Sequence, residues 1–144
     1  NQEGKSLEAV FSQKITRIGE LLADIEPFET ERVDKIKARL ESNLESINDK
    51  IDYDKNRLEQ ELIFYIEKLD VNEEKVRLKN HLEYFISTIK NEKSPGKKLG
   101  FIAQEIGREV NTLGSKSNHS EMQKIVVVMK DELEQIKEQV LNTL

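Results

Sequence analysis

Val33-Asp34-Lys35-Ile36-Lys37-Ala38-Arg39-Leu40-Glu41-Ser42-Asn43-Leu44-Glu45-Ser46-Ile47 places an apolar residue every three or four positions, with charged and polar residues between. That is the period of one face of an α-helix. The row continues through Ile51, Leu58, Leu62, Tyr65 and Leu69, and no Gly or Pro occurs between Phe28 and Pro95. At 1.5 Å per residue the periodic part spans roughly 55–60 Å. A helix of this kind is marginal in isolation, so it needs a partner along its length. The expected fold class is all-α, with long helices forming an extended antiparallel hairpin or bundle.

The flanking stretches repeat the pattern. Leu7, Phe11, Ile15, Ile18, Leu22 and Ile25 draw one stripe, which predicts a helix from about Ser6 to Glu26. Pro27 is expected to end it, because proline donates no N–H and its predecessor avoids the helical region. Asp70-Val71-Asn72-Glu73 reads as a helix start, Asp70 capping and Glu73 reaching back. The next stripe is Val71, Leu78, Leu82, Phe85 and Ile89, ending near Asn91. Asn91 to Gly96, through Ser94-Pro95, is the clearest loop. Leu99, Ile102, Ile106, Val110 and Leu113 form a further helix, with Gly114 expected as its C-terminal cap. Asn118-x-x-Glu121 then opens a last helix carrying Met122, Ile125, Met129, Leu133, Ile136 and Val140.

The chain has 144 residues, 36% hydrophobic and 35% charged, with 6 Gly and 2 Pro. The apolar content is too low for a thick core but too high for disorder, so burial is expected to be completed against another chain or domain. There is no Cys, which excludes disulfides, a thiolate nucleophile and Cys-ligated zinc. Ile125-Val126-Val127-Val128-Met129 is the longest apolar run, far short of a membrane span. Three adjacent valines cannot all face one core stripe, which favours some interface there. Residues 1–144 are read as one all-helical domain. The chain begins at Asn1 and not at Met, so it is expected to be a piece of a longer protein.

Charge is uneven along the chain. Residues 1–85 carry 14 basic and 20 acidic side chains, net −6; residues 86–130 carry 8 and 4, net +4; residues 131–144 carry 1 and 4, net −3. The basic middle zone leaves room for a polyanion that the overall −5 would argue against.

Several polar clusters could carry chemistry. Glu73, Arg77 and His81 are four apart and share a helical face. They form either an exposed ion-pair ladder or, with Glu74, one wall of a polar cleft where His81 moves protons. Glu105 and Glu109, one turn apart beside Arg108, suit a hard divalent ion or arise by chance in an acidic helix. Asn111-Thr112-Leu113-Gly114-Ser115-Lys116-Ser117 is a helix–helix turn or a phosphate site with Lys116 beside backbone N–H groups. Lys90, Lys93, Lys97 and Lys98 surround Pro95-Gly96 as solvated charge or as non-specific phosphate contacts. Asp54, Arg57 and Glu61 sit at a gap in the apolar row, where they set register or line a site.

Gly96-Lys97-Lys98-Leu99-Gly100-Phe101-Ile102-Ala103-Gln104-Glu105-Ile106-Gly107-Arg108-Glu109-Val110-Asn111-Thr112-Leu113-Gly114-Ser115-Lys116 resembles a block of the YicC/YloC family of stress-associated bacterial endoribonucleases. So do Asp54-x-x-Arg57-Leu58-x-Gln60-Glu61, Asp70-x-x-Glu73-Glu74-x-x-Arg77-Leu78-x-x-His81-Leu82 and Glu138-Gln139-Val140-x-Asn142. Gly100, Gly107 and His119 depart from the family pattern. The resemblance implies the C-terminal domain of a cytoplasmic, divalent-metal-dependent endoribonuclease, using Mg²⁺ or Mn²⁺. It implies RNA as substrate, a separate N-terminal domain and a ring-like homo-oligomer, a hexamer. It assigns catalytic roles to His81, Glu73, Arg77, Glu105, Arg108 and Glu109, and metal binding to Glu105, Glu109 and Glu74. Lys97, Lys98, Asn111, Lys116 and Arg57 would contact RNA. The rival expectations are a non-catalytic RNA-binding adaptor and an oligomerisation module.

Overall fold

The computed structural model describes residues 2–48, 59–61, 63, 64, 67 and 70–143. Four long helices dominate: α1 (Gln2–Asn48), α2 (Asn72–Asn91), α3 (Gly96–Lys116) and α4 (Ser120–Leu141). Residues 59–61, 63, 64 and 67 are also helical, and no strand occurs among the described residues. The all-α expectation holds. Arg57 and Asp54, with the row from Ile51 to Leu58, lie outside the described residues.

The helices close a four-sided bundle: α1 packs on α2, α2 on α3, α3 on α4, and α4 back on α1. The rows before Pro27 and after Asp70 supply its faces; of the row that begins at Val33, the residues Val33, Ile36 and Leu40 are only half-buried and none joins the core. Phe11, Ile15, Ile18, Leu22 and Ile25 of α1 are buried with Leu78, Leu82 and Phe85 of α2. Phe11 and Phe85 meet edge to face, ring centres 5.4 Å apart, a favoured aromatic geometry. Leu99, Ile102, Ile106, Val110 and Leu113 of α3 face Met122, Val126, Met129, Leu133, Ile136 and Val140 of α4. Of the valine run, Val126 is buried, whereas Val127 and Val128 are exposed.

Two helix ends differ from expectation. Pro27 does not end the first helix; α1 runs through it to Asn48 and absorbs the start of the second row. Pro27 is exposed, while Ile25 before it and Glu29 and Arg32 after it are buried on the core side. Packing on both sides of the proline holds the helix through the missing hydrogen bond.

Gly114 is likewise not a C-cap. The α3 helix continues to Lys116, and no described glycine has positive φ. Gly100, Gly107 and Gly114 instead form a row at sevenfold spacing on the α4 side of α3. A Cβ there would lie 3.7 Å from Val140, 3.3 Å from Leu133 and 3.1 Å from Val126 respectively. The glycines let two antiparallel helices approach closely.

The caps also shift by a residue. The Asp70 carboxylate accepts the Asn72 N–H at 3.0 Å, but Val71 is the N-cap of α2, and Glu73 bonds to Arg77 rather than reaching back. His119, not Asn118, caps α4, its Nδ1 accepting the Glu121 N–H at 3.2 Å.

Candidate active site between the second and third helices

Spacing four places Glu73, Arg77 and His81 on one edge of α2, and that edge faces α3. Arg77 Nε donates to Glu109 Oε1 at 3.2 Å and Arg77 Nη1 to Glu73 Oε2 at 3.3 Å. Arg77 Nη2 lies 3.6 Å from Glu74 Oε1, and His81 Nε2 lies 4.0 Å from Glu109 Oε1. The guanidinium thus sits among three carboxylates, one of which also faces the imidazole. The Glu109 hydrogen bond, and then its charge, hold Arg77 above the ordinary arginine range.

Lys116 extends the cluster. Its Nζ donates to Glu74 Oε1 at 2.8 Å and to the Asp70 carbonyl at 3.1 Å. It therefore leans back toward α2 and not toward the N–H groups opening α4. Glu74 is 3% exposed and Glu109 8%. Glu74 Oε2 is buried without a hydrogen-bond partner. Buried carboxylates are tolerated only when such cations compensate them.

Glu105 is half-buried, 4.0 Å from the exposed Arg108, and Asn111 is exposed. Lys97 and Lys98 stand at the opposite end of α3, about 28 Å from Lys116 along the axis. Lys98 donates to Glu92 at 2.5 Å and lies 5.1 Å over the Tyr84 ring. Those contacts, Glu92 first, push its pKa up to about 12. The structure joins His81, Arg77, Glu73, Glu74, Glu109 and Lys116, and leaves Lys97 and Lys98 apart.

Glu105, Glu109 and Glu74 do not form a ready metal centre. Among the described residues no group of three or more carboxylate or imidazole side chains is placed to hold an ion. Arg77 and Lys116 already occupy the carboxylates of Glu109 and Glu74.

Sequence reasoning missed a second polar cluster beside this one. Lys75 Nζ donates to Glu26 at 2.6 Å and to Glu29 at 2.5 Å. Arg32 donates to the Lys116 carbonyl at 3.3 Å and to Asn118 Oδ1 at 3.4 Å, tying α1 to the turn after α3. Ile25, Glu29 and Arg32 continue one helical face, a signal hidden by ending the helix at Pro27.

The chain matches the family model described as "Endoribonuclease YicC-like, C-terminal" over residues 25–143. It is similar to a protein of Clostridioides difficile named "probable endoribonuclease YicC", 35% identical over 143 residues, which cover 99% of this chain and 49% of that protein. It is also similar to a Haemophilus influenzae protein of the same name, 30% identical over 142 residues, covering 98% and 48% respectively. The chain spans about half the length of these relatives. It belongs to the YicC-like endoribonuclease family and corresponds to the C-terminal domain of that family.

Proposed function

We propose that this chain supplies the catalytic helices of an endoribonuclease that cleaves RNA phosphodiester bonds. The observation that carries it is the convergence of His81, Arg77 and Glu109 across α2 and α3, in a chain whose relatives bear the endoribonuclease name. His81 takes a proton from the attacking oxygen or gives one to the leaving oxygen. Glu109, whose Oε1 lies 4.0 Å from His81 Nε2, orients the imidazole. Arg77 and Lys116 oppose charge building on the phosphate. Lys97 and Lys98, at the far end of α3, gather the strand by charge alone.

Divalent-metal dependence belongs to the proposal for the whole protein. Among the described residues the carboxylates and imidazoles are not gathered in threes, so Glu105, Glu109 and Glu74 would hold an ion only with donors from elsewhere in the assembly. The proposal extends to a cytoplasmic ring-like hexamer with an N-terminal domain. No described helix is long and apolar enough to cross a membrane. A second reading, an oligomerisation module with cleavage elsewhere, draws on Val127 and Val128, which are 63% and 40% exposed.

The test is cleavage of labelled RNA by the purified full-length protein, with and without chelator, for wild type and for His81→Ala and Glu109→Gln. Loss of cleavage in both variants, with folding retained, supports the catalytic reading. Wild-type rates in both would move the chemistry away from this cluster.

A further inference from the structure

We propose that Glu74 is a positioning residue that fixes Lys116 and Arg77 as a two-pronged clamp for one backbone phosphate. This rests on the function proposed above and deepens it. Glu74 was expected to ligate metal; its surroundings point elsewhere. Lys116 Nζ and Arg77 Nη2 both approach the same oxygen, Oε1, at 2.8 and 3.6 Å. Lys116 is held there by its hydrogen bond to Glu74, and Arg77 stands beside it on hydrogen bonds to Glu109 and Glu73, with the Glu74 charge drawing its third nitrogen inward. Both keep an open side: the Lys116 side chain is 30% exposed and that of Arg77 49%, against 4% for Glu74. The carboxylate is the hidden post and the cations are the exposed arms.

The arrangement is poor as a purely structural strut. Glu74 Oε2 is buried with no hydrogen-bond partner, and such an atom costs stability. Glu74 also stands in an apolar row, between Val71 and Leu78, both fully buried. A buried ion pair is often no better for stability than an apolar pair of similar volume. A carboxylate at this position is therefore accounted for by what it does to the cations. A phosphodiester oxygen arriving between them finds two donors already oriented, and catalysis gains most from donors that need no reorganisation.

The experiment compares wild type, Glu74→Gln and the double variant Glu74→Met/Lys116→Met in the full-length protein, by thermal melting and by RNA cleavage kinetics. Glu74→Gln keeps shape and an acceptor for Lys116 but removes the charge that binds the arms. It is expected to fold, with kcat at least tenfold lower and KM no higher than wild type, since Lys116 is released, Arg77 keeps its bonds to Glu109 and Glu73, and both still attract RNA. The double variant is expected to melt near wild type and to remain at least tenfold down in kcat/KM. Wild-type kinetics in a folded Glu74→Gln protein, or in the double variant, would overturn the clamp while leaving the nuclease reading intact. If wild type itself neither binds nor cleaves RNA, the proposed function falls and the clamp with it. Should the double variant not fold, Glu74→Gln alone decides.

Discussion

Gly114 on α3 lies directly against Val126 on α4: a Cβ added at 114 would stand 3.1 Å from Val126 Cγ1. Val126 is 1% exposed and β-branched, so its side chain has no other rotamer to take up readily. Gly114→Ala gains about 0.5–1 kcal/mol of helix propensity. Forcing the helices apart costs about 1–3 kcal/mol. The net expectation is destabilisation of about 1–2 kcal/mol, partly relieved by adding Val126→Ala. Gly19→Ala is the control: its Cβ meets only Leu82 Cδ1 at 4.0 Å. That substitution should stabilise by about 0.5–1 kcal/mol. Urea unfolding of the four proteins measures both signs.

Pro27 offers a sharper test of helix continuity. Within α1 it removes one backbone hydrogen bond and crowds the carbonyl of Ala23. Its ring is exposed, so replacing it sacrifices no core contact. Pro27→Ala should therefore raise stability by about 1–3 kcal/mol. If the chain in solution breaks at this point, alanine would bring no gain, because the proline would be serving the break. Thermal melting with helical circular dichroism distinguishes the two.

The difference between Pro27 in sequence and in structure shows where local rules stop. The rows Phe11 to Ile25, Leu99 to Leu113 and Met122 to Val140 were legible because burial on one face imposes a period. Pro27 and Gly114 were misread because their effect was judged from the residue alone, whereas packing across the helix decides it. Gly100 and Gly107, noticed only as departures from a family pattern, make one packing row with Gly114. At the site, spacing placed Glu73, Arg77 and His81 together but could not say which helix faced them. Glu109 was named from its spacing to Glu105 as a possible metal ligand, and its hydrogen bond to Arg77 required the fold. Glu74 carried an overlooked signal: Val71, Glu74, Leu78, Leu82 and Phe85 run at spacings of three and four, so the acid fills the gap in the apolar row.

Lys75 predicts a response to alkali. Burial works to lower its pKa, but hydrogen bonds to Glu26 and Glu29 outweigh this and raise it above 10.5. A raised lysine pKa means the folded state holds the proton more tightly than the unfolded state does. The resulting stability is fully present below about pH 10.5 and is lost as pH rises through the higher folded value. Lys75→Met removes the ion-pair partner of buried Glu29 and leaves it facing only the charge of Arg32, which should cost about 3 kcal/mol at pH 7. It should also lack this part of the alkaline decline. Denaturant unfolding from pH 7 to 11 should therefore show the two proteins converging at the alkaline end; a constant gap would count against the shift.

The distance between Lys98 and the His81 cluster predicts a separation of kinetic effects. His81, Arg77 and Glu109 meet within hydrogen-bond or ion-pair reach, whereas Lys97 and Lys98 lie about 17 Å from Glu109 along α3. Removing a general acid or base typically costs about 10²–10⁴ in rate. His81→Ala should therefore lower kcat by roughly that factor. Lys97→Ala and Lys98→Ala remove phosphate attraction without touching the reacting bond. Each should raise KM, leave kcat near wild type, and reduce the slope of binding against salt by about 1. Lys98 should have the smaller effect of the two, because Glu92 already holds it at 2.5 Å. Cleavage and RNA binding by the full-length protein across a salt series test this. A loss in kcat for Lys97→Ala equal to that for His81→Ala would place the reacting phosphate at the wrong end of α3.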